Sequence, residues 1–171
     1  MRKCKSCNER FTPINTLQKF CFSSACVGAW ILSLKETQWK NKKKKMISNL
    51  MTTSDYLKSA QTPFNKYIRL RDIDLPCISC GVTTGQFQAG HYFSSGGHSA
   101  VRYNEDNCHK QCAKCNMFLS GNLIPYRKAL INKIGEQRFS ELEEIANNKA
   151  DWSKEELISI RKKYEKKLKK N

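Results

Sequence analysis

Two CxxC pairs, Cys77/Cys80 and Cys112/Cys115, enclose His91 and Asn107, and Asn116 directly follows the last cysteine. Four thiolates at this spacing can close one tetrahedral Zn²⁺ site and staple a loop that is too small and polar to fold by packing alone. An imidazole that titrates near neutrality can act as a general base, and an asparagine amide oxygen is a hard ligand acceptable to Mg²⁺ or Mn²⁺. Hydrolysis of a phosphodiester needs such parts: a base for water, a cation for charge on the phosphorane and leaving oxygen, and a group that orients the base. His91 is the candidate base, Asn116 and His91 are candidate ligands of the cation, and Asn107 can pin the loop backbone that presents His91. Because Asn116 adjoins Cys115, a structural metal would set the geometry of the reactive one.

The charge balance points to a polyanionic partner. Lys+Arg 31 against Asp+Glu 15 gives +16 on 171 residues, enough to bind nucleic acid by counterion release before any specific contact forms. Residues 1–53 carry +9 and 153–171 carry +5, whereas 76–125 carry only +1. Grip is therefore expected in the flanks and chemistry in a nearly neutral core. The opening MRKCKSCNERF has no apolar run of signal-peptide length, and the longest apolar stretch, 25–32, is too short to span a bilayer. A cytoplasmic location and no membrane partner are expected. In that reducing compartment nine cysteines grouped in pairs favour zinc over disulfides, as two sets of four with Cys108 left over as a small buried apolar residue.

Four segments must position these groups, and together they predict a small α+β fold. Residues 1–39 read as a zinc finger with ligands Cys4, Cys7, Cys21 and Cys26, in which Phe11, Phe20 and Phe22 pack around the metal and an apolar helix runs from Val27 toward Trp39. Residues 40–53 open with KNKKKK, a basic linker that is solvated and flexible and whose Lys42, Lys43, Lys44 and Lys45 can lie along phosphates.

Residues 54–125 are the core, entered by a helix with Ser54 as N-cap that is broken or restarted at Pro63 and carries Lys66, Arg69 and Arg71 as candidate DNA contacts. A strand over 86–93 carries His91, a returning strand is expected over 100–103, and a helix starts at Cys112. Residues 126–171 are helical, with stripes Tyr126, Leu130, Ile134 and Phe139, Leu142, Ile145. A Ser153/Glu156 capping box then opens a lysine-rich helix whose edge of Leu157, Ile160, Tyr164 and Leu168 docks on the core.

The order His91, Asn107, Asn116, with the last beside a CxxC pair, resembles the HNH (ββα-metal) endonucleases in their His-Asn-Asn form. Two CxxC pairs around the histidine are most similar to phage endonuclease VII, a resolver of branched DNA. Along the whole chain CxxCxxxF, FNKYIRLRDID, PCISCG, AGHYFSSGGHSAVRY, NxxxxCxxCN and SGN resemble the NinG (Rap) recombination proteins of lambdoid phages. The resemblance implies a zinc-stapled, treble-clef-like ββα-metal core with two structural Zn²⁺ and a catalytic Mg²⁺ or Mn²⁺. It further implies structure-selective cleavage of Holliday junctions and D-loops, a homodimer, and phage or host recombination proteins as partners.

One position departs from the HNH pattern. The residue before the catalytic histidine is usually Asp or His, a first metal ligand, but here it is Gly90. His98, with Asp72 and Glu105 behind it, is the preferred replacement, though it can instead hold the scissile phosphate or simply hydrogen-bond in its loop. Arg102 is a candidate phosphate clamp. His109 is read as a structural hydrogen-bonder rather than a ligand. The rival to a nuclease is a non-catalytic zinc-finger nucleic-acid-binding protein, in which Gly90 marks a lost ligand.

Overall fold

Cys4 and Cys7 lie in a turn between β1 (Arg2–Lys3) and β2 (Arg10–Phe11), an antiparallel pair in the computed structural model, which describes residues 1–170. The chain divides into two units, Met1–Met51 and a larger one from Thr52. In the first unit the turn closes through Cys4 N–H to Glu9 O (2.9 Å) and Asn8 N–H to Cys4 O (3.0 Å), with Asn8 in the left-handed region at φ 61°. Asparagine tolerates that conformation better than most residues.

Helix α1 (Ser24–Leu50) starts at Ser23, whose hydroxyl accepts from Cys26 N–H, so the N-cap also places the fourth thiol. The helix runs 27 residues and includes the KNKKKK run, where a flexible linker is expected from charge alone. Lysine is a good helix former, no Gly or Pro interrupts the helix after Gly28, and the Glu36–Lys40 pair (2.6 Å) supports it. Most of its large apolar residues are not buried, with Trp30, Leu32 and Trp39 exposed, and Phe22, just before it, does not pack inside a metal core but is 65% exposed.

The second unit opens with α2 (Thr53–Arg71). Thr52, not Ser54, is the N-cap, in a reciprocal capping box with Asp55. Pro63 sits inside this helix without breaking it. An interior proline costs about 3 kcal/mol, but the burial of Ala60, Phe64 and Ile68 along the same face outweighs it. That face packs on α5 (Lys154–Leu168), which begins at the Ser153/Glu156 capping box and buries Leu157 and Tyr164. Asn171, the end of the expected basic tail, lies outside the described residues.

Between these helices and an α3 (Leu123–Ile134)/α4 (Glu136–Ala146) hairpin lies a two-stranded antiparallel sheet, β3 (Phe87–His91) and β4 (Cys108–Cys112). The register pairs Gly90 with His109 and His91 with Cys108. The returning strand is therefore 108–112 and not 100–103, where Ser99–Val101 instead makes one 3₁₀ turn with Val101 buried. All five residues of β4 are buried, so CHKQC lacks the alternation that marks a half-solvated strand. After Cys112 the chain makes a single π-helical turn, Lys114–Phe118, in place of the longer helix expected there.

One face of the sheet meets a core of Ala60, Phe64, Ile68, Tyr103, Cys108, Leu157 and Tyr164; the opposite face meets Val101, Tyr126, Leu130, Phe139, Leu142 and Ala146. The expected stripes of α3 and α4 are present except that Ala146, not Ile145, turns inward. No helix among the described residues is long and apolar enough to cross a membrane.

Because α5 completes the core on α2, it is more than a charged tail. Tyr164→Ala should lower unfolding stability by about 3–5 kcal/mol in denaturant titration of the zinc-loaded chain, as expected for a buried aromatic. Leu32→Ala, on the exposed face of α1, should change it by less than about 0.5 kcal/mol.

Candidate functional site

The two cysteine sets converge as the spacing predicts. In each of Cys4/Cys7/Cys21/Cys26 and Cys77/Cys80/Cys112/Cys115 the sulfurs all lie within 4.8 Å of one another. Cys7 Sγ to Cys21 Sγ is 3.8 Å and Cys80 Sγ to Cys112 Sγ is 3.7 Å. A tetrahedron with Zn–S bonds of about 2.3 Å has edges of about 3.8 Å, so both sets can hold one zinc ion. The surrounding N–H groups favour thiolates: Ser6 and Cys21 N–H point at Cys4 Sγ, Cys112 N–H at Cys77 Sγ, and Cys115 N–H at Cys112 Sγ. Burial resists ionisation of Cys77, but the N–H groups of Cys112, Cys80 and Ser79 outweigh it and bring this thiol to about 7. Gly81, at φ 74°, makes the knuckle turn by donating to Cys77 O (2.8 Å).

His91 ends β3 with Nε2 3.0 Å from Arg102 O. A carbonyl only accepts, so Nε2 carries the proton and Nδ1, 3.7 Å from Cys108 Sγ, keeps its lone pair. Burial lowers the His91 pKa below its usual 6.5, only partly offset by the Arg102 carbonyl, and the ring is neutral at pH 7. Burial also pushes the Cys108 thiol far up, so it stays protonated. Asn107, fully buried, clamps the loop after His91: its Oδ1 accepts from Phe93 N–H (2.8 Å) and its Nδ2 donates to Phe93 O (2.9 Å) and Val101 O (3.1 Å).

Asn116 sits on the π-helical turn and donates through Nδ2 to Gln88 Oε1 (2.6 Å). Residues alternate across a strand, so Gln88 and Gly90 face away from His91, which shares its face with Cys108 and Phe64. The structure thus does not bring His91 and Asn116 together on one side of the sheet. Nor does it bring His98 to them: His98 Nδ1 bonds Ala146 O (2.9 Å), tying the loop to the end of α4, and its ring packs at a tilt against Phe93.

Asp72 and Glu105 do not stand behind His98 either. Asp72 is buried, gripped by Arg71 through both oxygens and approached by Lys133 and the Lys110 N–H; Glu105 bonds Lys167 and Tyr164. Arg71 also donates to the Glu105 and Cys108 carbonyls, so it braces the core and does not face solvent as a DNA contact. Lys66 and Arg69 are exposed on α2, and Lys42, Lys43, Lys44 and Lys45 on α1. Arg102 is half-buried with its Nε on Gln61 Oε1 (3.2 Å).

His109 is buried beside the Tyr126 hydroxyl, which donates to Gly90 O (2.9 Å). Burial, with the nearby Lys133 and Arg71 charges, lowers its pKa to about 3. Gln111 carries no motif signal, yet it fills the space beside Gly90: a Cβ on that glycine would collide with its Oε1 and Cβ. Its Nε2 donates to Ser79 Oγ and Gly121 O, joining the first zinc knuckle to the loop past the second.

These features define a class, small α+β proteins with two four-cysteine sites able to hold zinc. Within it, the chain belongs to the NinG family: the model described as Bacteriophage Lambda NinG protein matches residues 1–171. It is 37% identical to Protein ninG of Escherichia phage 933W over 98% of this chain and 92% of that protein. With Protein ninG of Escherichia phage lambda it shares 46% identity over 70% of this chain and 59% of the other, and with that of Salmonella phage P22, 45% over the same shares. No solved structure matches the chain.

Elemental analysis should return about two Zn²⁺ per chain, falling to about one in Cys112→Ser. A value near one in the unmodified protein would show that the N-terminal set does not retain metal. His109 sets an acid limit. His109 is neutral in the folded state down to about 3, whereas the unfolded chain protonates it near 6.5, so its contribution is intact above 6.5 and is lost as pH falls toward 3. His109→Gln should therefore lose less stability between pH 7 and pH 5 than the unmodified chain in parallel denaturant titrations; equal losses would exclude His109 as the cause.

Proposed function

We propose that this protein is a metal-dependent endonuclease of the HNH (ββα-metal) type, similar to endonuclease VII, that cuts branched DNA such as Holliday junctions and D-loops. The observation that carries this reading is the three-bond Asn107 clamp on the loop that follows His91, together with the Arg102 carbonyl that fixes the His91 ring. A histidine held in one tautomer and kept neutral by burial can take a proton from water at Nδ1 once the Cys108 thiol, 3.7 Å away, no longer donates to it. Asn116, which the fold leaves on the opposite side of the sheet from His91, would hold Mg²⁺ or Mn²⁺ to supply charge stabilisation to the phosphorane and the leaving oxygen, so this reading requires the substrate to bring the two groups to one phosphate. The half-buried Arg102 guanidinium is suited to a phosphate, and the exposed Lys66 and Arg69 to the DNA backbone. The lysines of α1 offer a second run of phosphate contacts. Symmetry-related cuts in a junction suit a homodimer, working with other phage or host recombination proteins.

A second reading, a zinc-bearing nucleic-acid-binding protein without catalysis, is favoured by one observation: Gln111 closes the space where the usual ligand before His91 would stand. A labelled four-way junction with Mg²⁺ or Mn²⁺ separates the two. Incision that disappears in His91→Ala while junction binding persists supports the nuclease; binding with no incision in either metal supports the alternative. Since burial lowers the His91 pKa, the incision rate should fall with acid through a midpoint below 6.5 and be flat above it. Replacing both Lys66 and Arg69 by Ala should weaken binding uniformly across junction sequences. It should also reduce the slope of log K against log salt by about two. An unchanged slope would mean that this face of α2 does not meet DNA.

A further inference from the structure

If the nuclease reading holds, a hard cation needs oxygen donors, and the described residues offer few beside Asn116. Their only groups of three or more His, Cys, Asp or Glu ligand atoms within reach of one another are the two cysteine sets, which suit zinc. With no such cluster beside Asn116 among the described residues, a Mg²⁺ or Mn²⁺ site there draws on amide oxygens and on the substrate. The candidate ligand before His91 is absent as Gly90, His98 is bound to Ala146 O, and Gln111 is fully buried against Gly90 with Oε1 lacking any partner. Gln111 thus plugs the position.

Gln88 lies two residues earlier on the same face of β3, is half-buried, and already meets Asn116 at 2.6 Å. In that contact Asn116 uses only its Nδ2, and no protein group donates to its Oδ1 among the described residues. Gln88 Oε1, a carbonyl oxygen, keeps a second lone pair. Two amide oxygens at the partly open edge of a zinc-stapled turn are hard donors without charge.

We propose that Gln88 and Asn116 together form the divalent-cation site, with Gln88 taking the place of the side chain missing at Gly90, and that the cation enters this neutral pair together with a DNA phosphate. Two neutral amides bind a divalent ion weakly, and a phosphate oxygen supplies the missing negative charge. This rests on the nuclease reading above and adds to it the ligand and the order of assembly.

The test follows Mn²⁺ by the loss of its free-ion electron paramagnetic resonance signal, in the zinc-loaded full chain carrying His91→Ala to suppress cutting, with and without a four-way junction. The junction should tighten Mn²⁺ binding at least about tenfold, Gln88→Leu should abolish that tightening, and Gln88→Glu should bind Mn²⁺ without DNA about tenfold more tightly than its parent. Equal affinity with and without DNA, or DNA-linked binding that persists in Gln88→Leu, overturns the proposal. If Gln88→Leu loses zinc, Gln88→Glu decides by itself, and unchanged DNA-free affinity in it counts against the site. Incision by the unmodified chain with Mn²⁺ binding indifferent to Gln88 keeps the nuclease and removes the Gln88 assignment; DNA-linked, Gln88-dependent binding with no incision keeps the cation site and removes the nuclease.

Discussion

Four sulfurs within 4.8 Å of one another, from Cys77, Cys80, Cys112 and Cys115, set the constraint on which the second unit depends. As thiolates they repel strongly at that separation, and a zinc ion held there would convert the repulsion into the bond that joins three chain segments. Cys77 and Cys80 anchor the knuckle after α2, Cys112 ends β4, and Cys115 lies in the turn that carries Asn116. Gln111 repeats this connection without metal, bridging Ser79 in the knuckle to Gly121 past the turn. Strand, knuckle and turn are thereby held as one body.

The small sheet held by this staple is buried on both faces, which makes its polar residues costly unless each finds a partner. Among the described residues, the buried polar side chains in and around it do so with one exception. Asp72 answers Arg71, Lys133 and the Lys110 N–H, and Asn107 uses its whole amide on the Phe93 and Val101 backbone. The exception, Gln111 Oε1, sits where Gly90 lacks a side chain. A polar interior satisfied this fully specifies loop geometry more sharply than an apolar one would, because each broken bond leaves an unpaired buried group. The Arg102 carbonyl and the Asn107 clamp hold His91 in this way, as core geometry and not as a surface loop.

Much of the architecture is legible in local pattern. The cysteine spacings predict two converging sets, the Ser153/Glu156 box predicts where α5 begins, and its apolar edge predicts docking. Other signals mislead for definable reasons. KNKKKK reads as flexible because charge suggests solvation, yet solvated lysines are also good helix formers, and the run lies in α1. Pro63 reads as a break because only its local cost is visible, and not the packing of Phe64 and Ile68 beside it.

By itself the sequence determined which atoms can bind zinc, where charge gathers, and which histidine and asparagines stand in order, since these depend on residue type and spacing. Only the tertiary structure decided which of them meet. Strand β4 is hidden from pattern because both its faces are buried, and its register with β3 turns His91 toward Phe64 and Gly90 toward Gln111. A shift of one residue in that pairing would exchange the two faces, so neither the separation of His91 from Asn116 nor the meeting of Gln88 with Asn116 can be read before the chain is folded.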